Sequence, residues 1–240
     1  MWQVLALVLA SCGTSFMTAA LGIGGGVTLI VILATVLPPA VLIPVHGVVQ
    51  LGSNLGRVLM MVRYILPTVL LPYLLGSLVG AVAGGLIVVD LPATYLQIGL
   101  AAFILWSVWG RLPVLEWRYV MPLGGMIASF LTMFFGTTAP FVASVIKTLK
   151  LERMAHVSTM AACMVMQHGL KIIVFGFLGF AFAPYLGFIA MMIAAGLIGT
   201  WLGKHLLLRI DDKKFHMALN VLLTVLALEL LWRGLRGVLA

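Results

Sequence analysis

Leu21-Gly22-Ile23-Gly24-Gly25-Gly26-Val27 interrupts two uncharged apolar runs, residues 4–20 and 27–37. An unbroken helix over residues 2–37 would be roughly 50 Å long at ~1.5 Å per residue. That exceeds a hydrocarbon core of about 30 Å, so the run must tilt steeply or break. Four glycines in five positions mark the break, since each costs about 1 kcal/mol relative to alanine inside a helix. Irregular backbone in a membrane needs protein or a watery cavity to satisfy its N–H and C=O groups. Two readings stand side by side: a discontinuous element lining a site, or a glycine seam between closely packed helices.

Only 8% of the 240 residues are charged and 63% are hydrophobic, whereas a soluble domain carries roughly 25% charged residues. The chain therefore reads as an all-α polytopic membrane protein embedded in the lipid bilayer, with no room for a soluble domain. The net charge of +8 is spread singly at the ends of apolar runs. That placement fits cytoplasmic loops and gives no nucleic-acid surface. Cys12 and Cys163 lie within apolar runs and form neither a disulfide framework nor a metal-ligand spacing, so no metal or cofactor is expected. The first apolar run lacks the basic region and cleavage site of a removable signal peptide and is expected to stay as a membrane segment.

Proline, glycine and charge punctuate the chain into ten segments. They run over about 2–20, 27–37, 41–62, 65–89 and 92–110, then 117–136, 140–149, 154–177, 184–207 and 214–235. The second and seventh are too short to span the bilayer and read as half-helices. The two sets of five correspond. Ser15-Phe16-Met17-Thr18 matches Ser129-Phe130-Leu131-Thr132, and Gly22, Asn54 and Arg57 fall on Gly136, His168 and Lys171 at one offset of 114 (136 − 22 = 114). Gly80 and Gly84 fall on Gly199 and Gly203 at an offset of 119 (199 − 80 = 119). The expected organisation is two repeats, residues 1–112 and 113–240, forming one integral membrane domain with 8–10 membrane segments.

Basic clusters at Arg63, 111–118, 147–153 and 204–214 follow segments three, five, seven and nine. The intervening loops hold Pro38-Pro39, Asp90 and Phe182-Ala183-Pro184 without Lys or Arg. The positive-inside rule puts the basic side in the cytoplasm and both termini outside. Five segments per half is odd, which makes the repeats inverted. Arg233 and Arg236 run against this pattern, and a re-entrant hairpin at one break would move the termini inside.

Inverted repeats with broken helices are a transporter architecture whose site lies where the repeats meet. The counterpart of the opening glycines is Gly136-Thr137-Thr138-Ala139-Pro140. Thr138 reads as an N-cap and Pro140 suits a first helical turn. Half-helices starting near Val27 and Ala139 would turn free N–H groups and positive dipole ends inward, an arrangement that binds anions. The alternative is a pair of structural kinks. In the third segment His46, Gln50, Asn54 and Arg57 share one helical face beside Ser53. The eighth offers Met164, His168 and Lys171, with Gln167 alongside. Arg57 and Lys171 serve substrate or gate, or else snorkel to headgroups. Gln50, Asn54, Gln167 and His168 sit deeper and contact substrate or form interhelical hydrogen bonds.

No acidic residue accompanies this cluster, whereas a cation pore would expose carboxylates; an anionic substrate is favoured. His46 and His168 are the candidates if protons are coupled, though a structural histidine is the ordinary alternative for each. Residues 22–26 lack the Gly-Lys-Ser/Thr ending of a phosphate loop. The chain holds no Gly-x-Ser-x-Gly elbow and no His-Glu-x-x-His motif. No enzymatic activity is expected, and ATP hydrolysis is excluded as an energy source.

Thr18-Ala19-Ala20-Leu21-Gly22-Ile23-Gly24-Gly25-Gly26, followed by Leu37-Pro38-Pro39 and the polar third segment, resembles the sulfite exporter TauE/SafE family over nearly the whole chain. The resemblance implies transport of sulfite or organosulfonates across a bacterial or archaeal-type plasma membrane. It carries a role onto Gly22, Gly24, Gly25 and Gly26 and onto Gly136, Thr137 and Thr138. The second half departs by having Ala139-Pro140 in place of glycines. The resulting expectation is an alternating-access carrier of a small sulfur-containing anion. Gly24, Gly25, Gly26, Gln50, Asn54, Arg57, Thr137, Thr138, Gln167, His168 and Lys171 would bind it, with Arg57 and Lys171 at opposite mouths or acting as gates. A passive anion channel, a carrier of another small organic anion, and a membrane-embedded enzyme or assembly factor are the competing readings. Homodimerisation through Gly76, Gly80 and Gly84 competes with intrachain packing of the same faces.

Overall fold

The computed structural model describes residues 2–33, 36–87, 98, 101–102, 105, 109 and 117–239. The expected segment at 92–110 lies almost wholly outside them. So do Asp90, residues 111–116 and the boundary between the repeats. The described helices are α1 (Trp2–Leu21), α2 (Gly25–Leu33), α3 (Pro39–Met61), α4 (Leu70–Ile87), α5 (Trp117–Phe135), α6 (Ala139–Lys147), α7 (Arg153–Phe177), α8 (Leu186–Leu207) and α9 (Asp212–Leu239). Short 3₁₀ turns precede α4 and α8. No strand occurs among the described residues. Among the described residues, six helices are long and apolar enough to cross a membrane: α1, α4, α5, α7, α8 and α9. This is a multi-pass integral membrane protein. α3 has 23 residues but is not among the six, because His46, Gln50, Ser53, Asn54 and Arg57 lower its hydropathy.

Both expected breaks are present, and each is followed by a nine-residue half-helix of about 13 Å. Positive φ occurs at Gly22 (83°) and Gly24 (98°) in the first break and at Gly136 (72°) in the second. Gly25 and Gly26 are helical, so α2 begins two residues earlier than expected. The reason is packing: a side chain on Gly25 would run into Thr14 O and Thr18 Oγ1, so only glycine lets the first turn of α2 press against α1. The backbone hydrogen bonds repeat at the offset of 114. Gly22 N donates to Thr18 O and Gly136 N to Thr132 O; Thr28 N donates to Gly24 O and Val142 N to Thr138 O. The two breaks therefore share the same pattern of main-chain bonds.

The halves are interlaced. α4 of the first half packs along α5 of the second, α1 packs along α8, and α3 lies against α7 between them. Glycines set the first two contacts. Side chains on Gly76 and Gly80 would collide with Pro122 O and Met126 O, and one on Gly84 would sit 3.0 Å from Phe130 O. On the other side, Gly199 abuts Cys12 O and Gly203 abuts Phe16 O. Cys12 and Phe16 stand 114 residues before Met126 and Phe130, so the two seams join positions at matching offsets. The faces bearing Gly76, Gly80 and Gly84 are consumed within the chain and are closed to a second copy.

Lys204 Nζ donates to Met60 O at 2.8 Å and Arg153 Nε to Leu207 O at 3.1 Å. These bonds bring the basic clusters at Arg63, 147–153 and 204–214 to one end of the bundle, as the charge pattern anticipates. Asp211 caps α9 there, accepting the Lys214 N–H at 2.8 Å. That backbone hydrogen bond, aided by the Lys214 ammonium, holds the Asp211 carboxyl below its usual range.

A side chain at Gly199 has no space to relax, whereas at Gly169 on α7 an added methyl group would have no neighbour within 4 Å. Gly199→Val is expected to lower the melting temperature of the purified protein through about 1–3 kcal/mol of overpacking. Gly169→Ala is expected to leave it unchanged or raise it, since alanine gains about 1 kcal/mol over glycine in a helix interior. Equal melting temperatures for Gly199→Val and wild type would show that the α1–α8 seam is loose.

Candidate functional site

The two breaks face each other. A side chain on Gly26 would lie 3.1 Å from Gln50 Nε2 and 3.2 Å from Thr137 Oγ1, while one on Gly136 would strike Ile30 Cδ1 of α2. Around this meeting point the expected polar faces turn inward. His46, Gln50, Asn54 and Arg57 on α3 are all buried, as are Met164, Gln167, His168 and Lys171 on α7. The 3.6-residue period accounts for this: steps of four, four and three keep one stripe on one side, and α3 and α7 press those stripes together.

Arg57 is 2% exposed and Lys171 0%, so neither side chain snorkels to the surface. Lys171 Nζ donates to Gly136 O at 2.6 Å, capping the carbonyl end of α5 where a positive charge is favoured. It is therefore at the second break and not at a mouth. Gly47 makes room for it, since a methyl there would come within 2.8 Å of Lys171 Cε. Arg57, its counterpart at offset 114, makes a different contact. Its Nη2 donates to Ser53 Oγ at 3.2 Å, and Ser53 in turn meets Ser15 Oγ at 2.9 Å. Arg57 Nε is buried with no partner. No carboxylate is among the buried side chains described, leaving both cations without a protein counter-charge among the described residues.

The half-helix ends differ in what they offer. The first i→i−4 bond of α2 is donated by Thr28, which leaves the N–H groups of Gly25, Gly26 and Val27 without an intrahelical acceptor. Of these, Gly26 borders Gln50 and Thr137. At α6, Pro140 has no N–H, and Ala139 N reaches Thr137 Oγ1 at 3.5 Å. Thr138 occupies the N-cap position without capping through its side chain. Its hydroxyl donates to Ala128 O at 3.1 Å and accepts from Gln167 Nε2 at 2.6 Å. Gln167 Nε2 also reaches Ala128 O at 3.1 Å, and Gln167 Oε1 accepts from Tyr73 OH at 3.1 Å. The Gln167 amide is thus spent on protein, and every residue from Ala139 to Ile146 is buried. The second break is bolted shut; the first presents open amides.

The remaining expected residues take distinct places. Gly24 supplies the left-handed turn and points toward Met17 and Leu222. Asn54 Nδ2 donates to its own helix at Gln50 O at 2.7 Å, leaving a buried, unpartnered Oδ1. His46 Nε2 lies 3.0 Å from Gly26 O, and its ring meets that of His168 edge-on, with centroids 6.2 Å apart. Sequence reasoning missed Tyr73 and Gly47. Tyr73 is legible in retrospect as a phenol inside an apolar segment, which needs a partner once buried. Gly47 carries no signal until Lys171 is placed against it.

A family model for the sulfite exporter TauE/SafE matches residues 7–230. The chain belongs to the TauE/SafE family. No curated protein and no solved structure matches it. TauE/SafE membership makes this chain a membrane transporter of the sulfite-exporter type, and an anion suits an interior with two buried cations and no buried carboxylate among the described residues. In this TauE/SafE protein the glycine-rich opening forms the open break, and the Gly136–Pro140 departure coincides with the bolted one.

Gly47→Ala is expected to push Lys171 off the Gly136 carbonyl. The net loss of stability is about 1–2 kcal/mol: a charge-assisted hydrogen bond of about 1.5–3 kcal/mol, less about 1 kcal/mol gained by alanine in the helix. In a Lys171→Met background the same substitution should cost nothing further. Additive melting-temperature losses in the two backgrounds would show that Gly47 acts independently of Lys171.

Proposed function

We propose that this chain is a secondary transporter that moves small sulfur-containing anions, sulfite or organosulfonates, by alternating access across a bacterial plasma membrane. The observation that carries the reading is the pair of buried cations, Arg57 and Lys171, with no buried carboxylate among the described residues. A buried unpaired charge is costly, and an oxyanion entering beside it relieves that cost. The open amides at Gly25, Gly26 and Val27 receive the oxygens, since helix N-termini hold anions through N–H groups and dipole together. Arg57 supplies charge, its Nε still unpartnered, and Gln50 and Asn54 orient the remaining oxygens. Thr137 approaches from the opposite break, so the substrate bridges both halves. His168 and Lys171 complete the wall, while Thr138 and Gln167 hold the bolted break in position.

The repeats at 1–112 and 113–240 act as an inverted pair, one rocking on the other about the seams at Gly80–Met126 and Gly199–Cys12. A ligand shifts such an equilibrium by the difference in its affinity for the two states, and contacts from both halves provide that difference. Its energy source is a gradient.

Purified protein in proteoliposomes is expected to carry labelled sulfite or ethanesulfonate with saturating kinetics. Arg57→Met should lower transport by roughly 10- to 100-fold, which corresponds to the loss of a charge-assisted bond worth about 1.5–3 kcal/mol. No anion movement above empty vesicles across both probes would overturn the assignment. A current that fails to saturate would replace the carrier with a channel.

A further inference from the structure

The buried histidines His46 and His168 have more hydrogen-bonding capacity than the protein satisfies. One comes from each half, both are fully buried, and their rings meet edge-on at 6.2 Å. His46 Nε2 lies 3.0 Å from the Gly26 carbonyl. A carbonyl only accepts, so that nitrogen bears a proton. The Gln50 amide, 3.3 Å from the same nitrogen, must then turn its oxygen to the ring, an orientation that follows from the network. In neutral His46 the proton on Nε2 leaves Nδ1 as a bare acceptor that makes no hydrogen bond, while a second carbonyl, Gly136 O, also acts on the ring. His168 is short on both sides, with neither Nδ1 nor Nε2 partnered. A neutral imidazole has one N–H donor and one lone pair, so the pair holds two lone pairs and one N–H that make no hydrogen bond. Leaving such groups unmade has a cost in stability.

The charged and titratable groups around this pair are few. α7 contributes Lys171 and α3 contributes Arg57, both within electrostatic reach of His168. α4 contributes Tyr73, whose hydroxyl is committed to Gln167, and α7 adds buried Cys163. His156, three turns earlier on α7, packs against Phe215 instead. α1, α2, α5, α6 and α8 place no titratable side chain among the buried residues described. A proton arriving here meets cations and no carboxylate, so it is favoured only when a negative charge arrives with it.

We propose that the His46–His168 pair takes up one proton when the anion binds, so that this protein moves its anion together with a proton. The inference rests on the anion site proposed above and adds what travels with the anion. Coupling follows from charge. The oxyanion offsets Arg57 and Lys171 and so lets an imidazolium form beside them. Without the anion the proton is repelled, and without the proton the unbonded lone pairs repel the oxyanion. By linkage, a group that gains a proton on binding makes the affinity fall as pH rises.

The test is proton uptake on binding. The full-length protein in detergent is titrated with sulfite and, separately, with ethanesulfonate in weakly buffered alkaline solution, where neither probe carries a proton of its own. A pH indicator counts protons while labelled anion is counted in parallel. The expected result is one proton taken up per anion bound, with the ratio falling toward zero in His46→Gln or His168→Gln. Anion binding without proton uptake in the wild type overturns the proposal and leaves the anion site standing. Binding of neither probe overturns the anion site and the proposal with it. Uptake retained in both histidine variants but lost in Lys171→Gln would assign the proton to the lysine and equally overturn it. The wild-type ratio decides the matter even if a variant does not fold.

Discussion

A helix can stop inside a bilayer only where its orphaned amides and carbonyls find partners other than lipid. Everything at the centre of this protein follows from how that requirement is met at two places. At the second break it is met by protein: Lys171 on the Gly136 carbonyl, Pro140 with no N–H to satisfy, and the Tyr73–Gln167–Thr138 chain tying neighbouring helices together. At the first break His46 reaches Gly26 O, a carbonyl already inside the first turn of α2. The amides of Gly25, Gly26 and Val27 have no intrahelical acceptor, and Gly26 borders Gln50 and Thr137. Amides left free at a helix start suit an anion, which is why the proposed site is drawn at the first break.

The two breaks differ in this way despite their similar main-chain bonding. The main-chain bonds at the two breaks coincide at an offset of 114, and the glycine seams join positions at matching offsets. Two identical anion ends facing each other would leave each end's carbonyls and the neighbouring cations to be satisfied separately. Dividing the work differently lets Lys171 stabilise a helix end while its counterpart Arg57 keeps an unpartnered Nε. The presence of Ala139-Pro140 in place of glycines belongs to the same division, since proline removes an amide that would otherwise need a partner.

The seams explain why the halves form one body. α4 and α1 each leave their own half to lie against a helix of the other, with glycine allowing backbone to approach backbone. Lipid gives no hydrophobic drive for helix association, so close van der Waals packing carries that role. A motion of one half against the other must therefore pass through Gly80 and Gly199, where backbone meets backbone.

Much of this was legible in the residue order. The break at residues 22–26 follows from a run too long for a bilayer and too rich in glycine for a helix. Its partner at Gly136 follows from the repeat, and the inward faces of α3 and α7 follow from helical period. Each is a local or periodic property that the chain carries by itself. What the order could not convey is which polar groups spend their bonds on one another. Thr138 looks like a cap until its hydroxyl is found on Ala128 O, and of the two roles open to Gln167 the structure shows the interhelical hydrogen bonds. Lys171 reads as a substrate or gate residue or a snorkelling one until Gly47 is found to leave room for it at Gly136 O. These outcomes depend on residues far apart in the chain meeting in space, as Gln167 does with Thr138 and Lys171 with Gly47. Sequence alone determined where the membrane helices break; only the tertiary structure decided which break stays open, because that depends on partners brought in by other helices.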